Sequence, residues 1–430
     1  MPKFHLTKTQ VIIIMGALVL VIIVGALGLF NLRPTTNNNP ATKATLTVWG
    51  TESPDVIGAL AAAYPYAAVS YQQFPAASYD NSILSALAAG NGPDVFEIQN
   101  REVPKFKFLL APLPTSTQAF TSLQLSQLFP DVVAQDFVEN GQLYGLPLYL
   151  DTLVMVYNKD LFNTAGIVAA PATWDQFDAD VAKIRAVNSS GAITRSGAAI
   201  GGSLASIPNA PDILALLMLQ NGTQMTDSAN AFANFASQTN GAPGIAAFNF
   251  YLQFANPTSP YYTWNDSLGN AFDQFAAGKV GIAFVYQSDL AAIKTKAPFL
   301  HIGIAPVPQP TGANISVSYP RYGGFVAARA GQQAAAWNFI LYFAALSTDA
   351  QAFVNATGKP PALRAAIQAD LNDPNLSVFA AQALTAQSWY EADAAKVDAI
   401  MSQAIQNVLV GNEDSTRALN EAANEVDQLM

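Results

Sequence analysis

The sequence predicts an α/β protein with two lobes, preceded by one N-terminal transmembrane helix, and three observations support this prediction. Strands and helices alternate after residue 45 at a spacing typical of βαβ units and a parallel sheet. A chain of 430 residues with 51% apolar residues is long enough to bury more than one core. The segment from Val11 to Phe30 carries no charge and, as a helix of about 30 Å, matches the hydrocarbon core of a bilayer.

The alternating elements begin directly after residue 44. Leu46 to Trp49 predicts a strand, and Ser53 and Pro54 provide the cap and the first-turn proline of a helix. Three further elements follow in order: a strand over 69–74, a helix over 80–89 and a strand over 95–98. Because parallel sheets bind ligands beyond the carboxyl ends of their strands, segments 49–53 and 98–101 are expected to face a ligand.

Periodic apolar positions predict the later elements. Thr173 to Gln176 forms a capping box, which marks the start of a helix. The expected elements are helices over 174–184 and 272–277, a strand over 280–285, and helices over 337–346 and 379–409.

The N-terminal segment predicts export of the remaining chain. Lys3 and Lys8 precede the apolar run, and the positive-inside tendency then places the N-terminus in the cytoplasm. We predict an uncleaved single-pass anchor over residues 1–32, followed by a flexible polar tether over 33–44. The alternative is a cleaved signal peptide, for which residues 24–26 offer a small-residue cleavage site. Either interpretation places the folded part on the extracytoplasmic side of the cell membrane.

The composition excludes several kinds of function. The 30 acidic residues outnumber the 20 basic ones, so the chain lacks the excess positive charge that a nucleic-acid partner requires. With no cysteine and two histidines, the sequence contains no thiolate site and almost no material for a histidine metal site or a Ser-His-Asp triad. We therefore predict no metal, no cofactor and no catalytic residue.

Several segments resemble, in order, those of a known family. Residues 88–95 read AAGNGPDV, residues 145–147 read GLP, residues 157–162 read YNKDLF, and residues 171–177 read PATWDQF. The later matching segments are Ala271-Phe272 with Gly278-Lys279, Pro306-Val307-Pro308, Tyr322-Gly323-Gly324-Phe325 and Ala336-Trp337-Asn338-Phe339. From residue 45 to 430 the chain is thus similar to the extracellular solute-binding proteins of ABC importers, in the maltose-binding-protein-like, sugar-binding branch.

The resemblance implies a periplasmic-binding-protein-like fold, in which two α/β lobes are joined by hinge strands. Three crossings between the lobes are expected, near Asp151, within 309–322 and within 359–366. The first lobe would comprise 45–151 with about 312–362, and the second lobe 152–311 with about 363–430. By analogy with the family, the lobes close around a mono- or oligosaccharide, and permease subunits of the ABC transporter recognise the closed form.

A sugar site needs aromatic faces for the C–H surfaces of the sugar and polar groups for its hydroxyls. The strand ends and the resemblance together select the candidate ligand-binding residues. They are Trp49, Glu52, Asn100, Arg101, Tyr149, Asp151, Trp264, Tyr286, Tyr322, Gly323 and Trp389.

Each candidate also has a structural interpretation that the sequence leaves open. Trp49 and Trp264 could pack in a core, and Asp151 could form a salt bridge in the hinge. Arg101 could pair with acids beside it on the surface. Trp389, placed on the predicted late helix, could serve helix packing.

The chain departs from the family at one expected stacking position. Ser288 stands where family members often place a stacking tryptophan, a departure that Tyr286 could compensate.

Two other functions remain open from the sequence. The same fold could instead bind a peptide, a polyamine or another small solute, because a fold does not fix its ligand. A membrane-anchored glycoside hydrolase would need two carboxylates across a bond, and Glu52 and Asp151 could supply them.

Overall fold

The computed structural model describes residues 45–114, 120–345 and 347–430. The predicted membrane helix and tether lie outside these residues. Within them, no helix is both long enough and apolar enough to cross a membrane.

The strands of the described residues form two main sheets and two short pairs. They are β1 (Thr45–Gly50), β2 (Ala68–Gln73), β3 (Val95–Gln99), β4 (Leu110–Ala111), β5 (Val138–Glu139), β6 (Gln142–Leu143), β7 (Gly145–Pro147), β8 (Asp151–Thr152), β9 (Val154–Asn158), β10 (Ala186–Val187), β11 (Ile193–Ala198), β12 (Val280–Val285), β13 (Ile302–Ala305), β14 (Pro320–Arg321) and β15 (Gly323–Ala328).

The α-helices between these strands cover both lobes. They are Pro54–Ala63, Ala76–Ala88, Val103–Phe106, Ser122–Leu128, Asp131–Phe137, Lys159–Thr164, Trp174–Ile184, Ala210–Gln220, Pro243–Leu252, Ala271–Ala276, Gln287–Lys296, Gln333–Ala345, Ser347–Thr357, Arg364–Asp370, Ser377–Ala383, Ala394–Leu409 and Ser415–Asp427. Short 3₁₀ turns lie at Asn100–Glu102, Lys107–Leu109, Thr239–Gly241 and Asp266–Leu268.

The first sheet has the strand order β2-β1-β3-β15-β4, with β7 beside β15. β1 pairs in parallel with both β2 and β3, so the predicted βαβ arrangement is confirmed. β15 runs antiparallel to β3 and places Gly323 opposite Gln99. The carboxyl ends of β1 and β3 therefore lie at the same edge of the sheet as the start of β15.

The second sheet has the order β10-β11-β12-β9-β13. β12 has the predicted bounds and is buried along its whole length, and it pairs in parallel with β11 and antiparallel with β9. The helix Trp174–Ile184 packs on this sheet, and its cap Thr173 accepts a hydrogen bond from the backbone of Gln176, which confirms the predicted helix start.

Two separate hydrophobic cores define the two lobes of this α/β fold. The core of the first lobe includes Val48, Phe96, Phe325 and Trp337, all nearly inaccessible to solvent. The core of the second lobe gathers β9 and β12 with the helices Trp174–Ile184 and Ala210–Gln220. Each lobe buries its own apolar surface, so the two can move as separate bodies about the segments that join them.

Paired strands and one glutamine hold the connection between the lobes. β8 pairs antiparallel with β14, which aligns Asp151 with Arg321. The buried Gln382 donates from Nε2 to the carbonyl of Leu153 at 2.9 Å, and its Oε1 accepts from the backbone N–H of Val307 at 2.8 Å. These bonds fix the backbone on both sides of the joining strands.

The last hundred residues differ from the sequence-based expectation in two ways. The single helix expected over 379–409 is two helices, Ser377–Ala383 and Ala394–Leu409, separated by an irregular loop. The second helix begins where Asp393 caps it by accepting from the backbone of Lys396. Ile367 and Ala386, which we assigned to the second lobe, pack in the core of the first.

Candidate functional site

Two cavities lie in the cleft between the lobes. The larger has a volume of about 580 Å³ and the smaller about 410 Å³. Both volumes fall within the roughly 300 to 1,000 Å³ that is usual for small-molecule sites. The cleft therefore offers room for a ligand on each side of the residues that separate the cavities.

Polar side chains from both lobes line the larger cavity. The first lobe contributes Asn100, Arg101, Pro104, Gln135 and Asp136; the second contributes Leu219, Gln224, Met225, Thr226, Asp227, Ser228, Asn230 and Asn234; and the loop before the helix Ala394–Leu409 contributes Ser388, Trp389, Tyr390 and Glu391. Amide and hydroxyl groups dominate this wall.

Trp389 is the main aromatic group of the larger cavity. It lies in the loop between the helices Ser377–Ala383 and Ala394–Leu409, not on a helix as expected, and the residue is only 8% exposed. Its ring meets the edge of Phe235 at a centroid distance of 6.0 Å. Among the described residues its buried indole N–H finds no hydrogen-bond partner. An unpaired buried donor costs roughly 1–3 kcal/mol, so a ligand oxygen that accepts from it would remove that cost.

A partly buried carboxylate, that of Asp136, lies in the wall of the larger cavity. Asp136 accepts hydrogen bonds from Nδ2 of Asn100 at 2.8 Å and from the hydroxyl of Tyr322 at 2.6 Å, and it also accepts from the hydroxyl of Ser388. Burial raises the pKa of Asp136, while these three donors oppose the rise. Asn100 and Tyr322 therefore orient the carboxylate of Asp136 in the cavity wall.

The smaller cavity lies beside the hinge. Its wall includes Tyr149, Asp151, Tyr286, Arg321 and Lys359. The guanidinium of Arg321 lies over the ring of Tyr286, 4.3 Å from its centroid, and the ammonium of Lys359 lies 3.9 Å from the centroid of Tyr149. The wall of the smaller cavity contains more charged side chains than the wall of the larger one.

Asp151 is held by backbone donors at the hinge. One carboxylate oxygen accepts from the N–H of Thr152 and the other from the N–H of Gln287, each at 2.8 Å. Gln287 begins the helix Gln287–Lys296, so the carboxylate lies at the positive end of a helix. Burial is nonetheless the largest influence and raises the pKa of Asp151 to about 7.

Arg101 lies between the two cavities and is surrounded by carboxylates of the second lobe. Its Nε donates to Glu391 at 2.7 Å, its Nη2 donates to Asp398 at 2.6 Å, and its Nη1 lies 3.2 Å from Asp212. The surface pairing that the sequence left open is therefore replaced by a buried cluster that bridges the lobes. Burial raises the pKa of Glu391, although the charge of Arg101 opposes that rise.

Glu52 and Trp49 lie at the sheet edge of the first lobe. Glu52 forms an ion pair with Lys359, which contacts Tyr149 in the smaller cavity. The ring of Trp49 packs on Phe74 at a centroid distance of 4.5 Å. Glu52 is thus linked to the smaller cavity through Lys359, whereas Trp49 supports the edge of the sheet.

Three of the predicted site residues lie in the packed interior. Trp264 is fully buried in the core of the second lobe, where its indole N–H donates to Ser206 at 2.9 Å. Tyr322 is fully buried in the first lobe and reaches the wall of the larger cavity through Asp136 and through Asn100, whose Oδ1 accepts from its backbone N–H at 3.2 Å. Gly323 lies in β15, where an added Cβ would lie 3.2 Å from the ring of Tyr149.

Several cleft residues were absent from the sequence-based candidates. The charged ones are Glu102, Asp136, Asp212, Asp227, Arg321, Lys359, Glu391 and Asp398. Asp136 and Asp212 lie on helices whose apolar pattern gives no sign of a cleft. Glu391 had a usable signal, because it follows Trp389 and Tyr390 directly. In the described part of the chain, no group of His, Asp or Glu residues is placed to hold a metal ion.

A cleft between two lobes joined by paired strands is the architecture of proteins that capture a ligand by closing about a hinge. The chain belongs to the family of bacterial extracellular solute-binding proteins, whose family model matches residues 44–352. The resemblance inferred from the sequence motifs is thereby confirmed.

A curated relative and two solved structures illustrate this membership. A putative binding protein of Brucella abortus is 29% identical over 237 residues, which cover 54% of this chain and 53% of the relative. The chain thus matches about half the length of that relative. The sugar-binding protein MalE from Xanthomonas citri shares the fold with a TM-score of 0.74 at 21% identity, covering 90% of this chain and 97% of that one.

A second solved structure extends the likeness of fold. The substrate-binding protein Lmo0181 from Listeria monocytogenes, solved in complex with cycloalternan, has a TM-score of 0.70 at 18% identity. The match covers 90% of this chain and 98% of that one.

Proposed function

We propose that this protein is the extracytoplasmic binding component of an ABC importer and captures a carbohydrate in the larger cavity without performing chemistry on it. The observation that carries the proposal is the cavity of about 580 Å³ whose wall both lobes supply. A ligand seated there contacts both lobes, so its binding energy favours the closed form. Permease subunits that recognise the closed form would then receive the ligand.

The chemistry of the cavity wall suits a neutral, hydroxylated ligand. Gln224, Ser228 and Asn230 present amide and hydroxyl groups that can both donate and accept. Trp389 adds an aromatic surface and a buried N–H that has no partner within the described chain. A saccharide offers C–H faces for the ring and oxygen acceptors for the N–H. The solved relatives named above as a sugar-binding protein and as a cycloalternan complex support the same class of ligand.

We expect saccharides, and not amino acids, peptides or polyamines, to raise the melting temperature of the full-length protein in detergent. A ligand at one hundred times its dissociation constant adds about 2.7 kcal/mol to the free energy of unfolding, which a thermal-shift assay detects readily. Sugar release from each saccharide is followed in parallel, because a membrane-anchored hydrolase would also bind its substrate. Stabilisation by amino acids or polyamines alone would contradict the proposed ligand class.

We also propose that the apolar segment Val11–Phe30 remains in the mature protein as a membrane anchor. The absence of cysteine in the chain removes lipid attachment to an N-terminal thiol, which leaves a retained helix as the means of attachment. Mass spectrometry of the native N-terminus is expected to recover peptides that precede residue 11. A mature chain that begins near Leu27 would contradict the anchor and indicate a cleaved signal.

A further inference from the structure

Arg101 lies between the two cavities of the cleft. Among the residues that the structure describes, it alone lines both cavities. Of its partners, Glu391 lies in the wall of the larger cavity and Asp398 in the wall of the smaller one. The side chain and its partners therefore separate two spaces that would otherwise adjoin.

The ion pairs of Arg101 run from one lobe to the other. Arg101 belongs to the 3₁₀ turn that follows β3 of the first lobe. Asp212 is on the helix Ala210–Gln220 and Asp398 on the helix Ala394–Leu409, both packed in the core of the second lobe. Each of the three nitrogen atoms of the guanidinium meets a carboxylate, so the planar group is held in one orientation.

Two of the three carboxylates, those of Asp212 and Glu391, are also held by groups other than Arg101. The hydroxyl of Tyr286 donates to Asp212 at 2.8 Å, and the hydroxyl of Tyr319 donates to Glu391 at 3.1 Å. Arg321 forms a second ion pair with Asp212 at 2.5 Å. Asp212 and Glu391 are thus already positioned for a guanidinium, so Arg101 pairs with them at little cost in rearrangement.

Withdrawal of Arg101 would leave three carboxylates close together. Asp212 and Glu391 are almost fully buried, and their like charges repel each other across a poorly screened space. Arg321 would still pair with Asp212, but Glu391 would be left as a buried charge without a cation, which is strongly unfavourable. The cluster therefore favours a cleft in which Arg101 stays in place.

We propose that Arg101 and its three carboxylates form a bar across the cleft that limits the bound saccharide to the length that the larger cavity holds. This inference rests on the proposed function, because it concerns the ligand of the same site. A short saccharide fits beside the bar and ends against Arg101 and Glu391. A longer one would have to displace the guanidinium to reach the smaller cavity.

The first arm of the test needs no ligand and asks whether the bar joins the lobes in solution. The chain has no cysteine, so Phe108→Cys and Phe232→Cys, at exposed positions near the cavity-lining Pro104 and Asn230, accept spin labels selectively. We expect Arg101→Gln to lengthen and broaden the distance between the labels in the full-length protein in detergent. Arg417→Gln, which breaks an exposed pair with Glu421 on the helix Ser415–Asp427, is the matched control and should leave the distance unchanged.

The second arm measures affinity for α-1,4-glucose and β-1,4-mannose oligosaccharides from one to six units. In the wild type we expect affinity to stop increasing with the number of sugar units after the short members of the series. In Arg101→Gln we expect the longest members to gain about tenfold in affinity relative to the disaccharide, which corresponds to about 1.4 kcal/mol. If Arg101→Gln does not fold, as judged by thermal melting, Asp398→Asn removes one partly exposed member of the bar and should shift the preference in the same direction.

The outcomes separate the two proposals. An unchanged label distance in Arg101→Gln, or an unchanged length preference in a variant that binds saccharides, would overturn the bar and leave carbohydrate capture intact. Failure of the wild type to bind any saccharide would overturn the proposed function, and the bar as a limit on saccharide length would fall with it.

Discussion

Replacement of Trp389 by alanine is expected to weaken saccharide binding by at least about tenfold, because the ring supplies both apolar area and a donor to the ligand. Trp389 lies in the wall of the larger cavity, and its indole N–H lacks a partner in the part of the chain that the structure describes. Ring stacking adds roughly 0.5–1.5 kcal/mol beyond the burial of area. Calorimetric titration of the variant with the saccharide found by thermal shift measures the loss.

A pair of conservative variants distinguishes binding from packing. Trp264→Phe removes a hydrogen bond to Ser206 in the core and should lower the free energy of unfolding by about 1–3 kcal/mol without changing affinity. Trp389→Phe removes an unpaired donor and should leave stability unchanged or slightly raised while it weakens binding. If Trp389→Phe instead lost stability and kept full affinity, Trp389 would belong to the packing of the second lobe and not to the binding site.

Several elements of the fold were well predicted because their signals are local. Alternating apolar residues and the cap at Ser53 placed β1 and the following helix within two residues of their positions. β12 was predicted with its observed bounds, Val280 to Val285, because both of its ends are marked by a turn or a polar residue. Such signals depend on neighbours in sequence, which a single sequence displays.

The loop over 384–393 shows where local periodicity leads to a wrong prediction. Alanine-rich sequence over 379–409 carries helical spacing throughout, yet the chain leaves the helix after Ala383. The loop is held across the cleft by Gln135, whose Nε2 donates to the carbonyl of Ser388 at 2.6 Å. A contact between residues 253 positions apart overrides the local preference, and it places Trp389 in the cavity wall.

The candidate site was predicted in part for the same reason. Asp151, Arg101 and Trp389 were selected from strand ends and from the resemblance, and the structure brings each of them to the cleft. The partners of Arg101 could not be selected, because Asp212 and Asp398 lie 111 and 297 positions away in sequence. In a chain with 30 acidic residues, charge alone does not single out these carboxylates.

The stability of the protein is expected to fall as the pH rises from about 4 to about 7, in part because of Asp151. Burial raises the pKa of Asp151 in the folded protein to about 7, against about 3.9 for an exposed aspartate. A raised folded-state pKa stabilises the fold fully below the unfolded pKa, and this stabilisation is lost as the pH rises through the folded pKa. At about 1.4 kcal/mol per pKa unit, the loss approaches about 4 kcal/mol at most.

Comparison with Asp151→Asn isolates this contribution from those of other buried acids. The difference in free energy of unfolding between wild type and variant should decline from pH 4 to pH 7 and remain constant above it. Denaturant titrations at each pH measure that difference directly. A difference that does not vary with pH would mean that the carboxylate of Asp151 ionises as readily in the folded protein as in the unfolded one.

Saccharide affinity should not follow the titration of Asp151. The carboxylate lies in the wall of the smaller cavity, which Arg101 and its partners separate from a saccharide in the larger one. Its two oxygen atoms already accept from the backbone of Thr152 and Gln287, so ionisation offers such a ligand no new contact. Asp151→Asn should therefore bind saccharides as tightly as the wild type on both sides of pH 7, although it changes the pH dependence of stability. Calorimetric titrations at pH 6 and pH 8 measure both affinities. A hydrogen bond to a charged group contributes roughly 1.5–3 kcal/mol, so a loss of about tenfold or more in Asp151→Asn at pH 8 would mean that the ligand reaches the smaller cavity past Arg101.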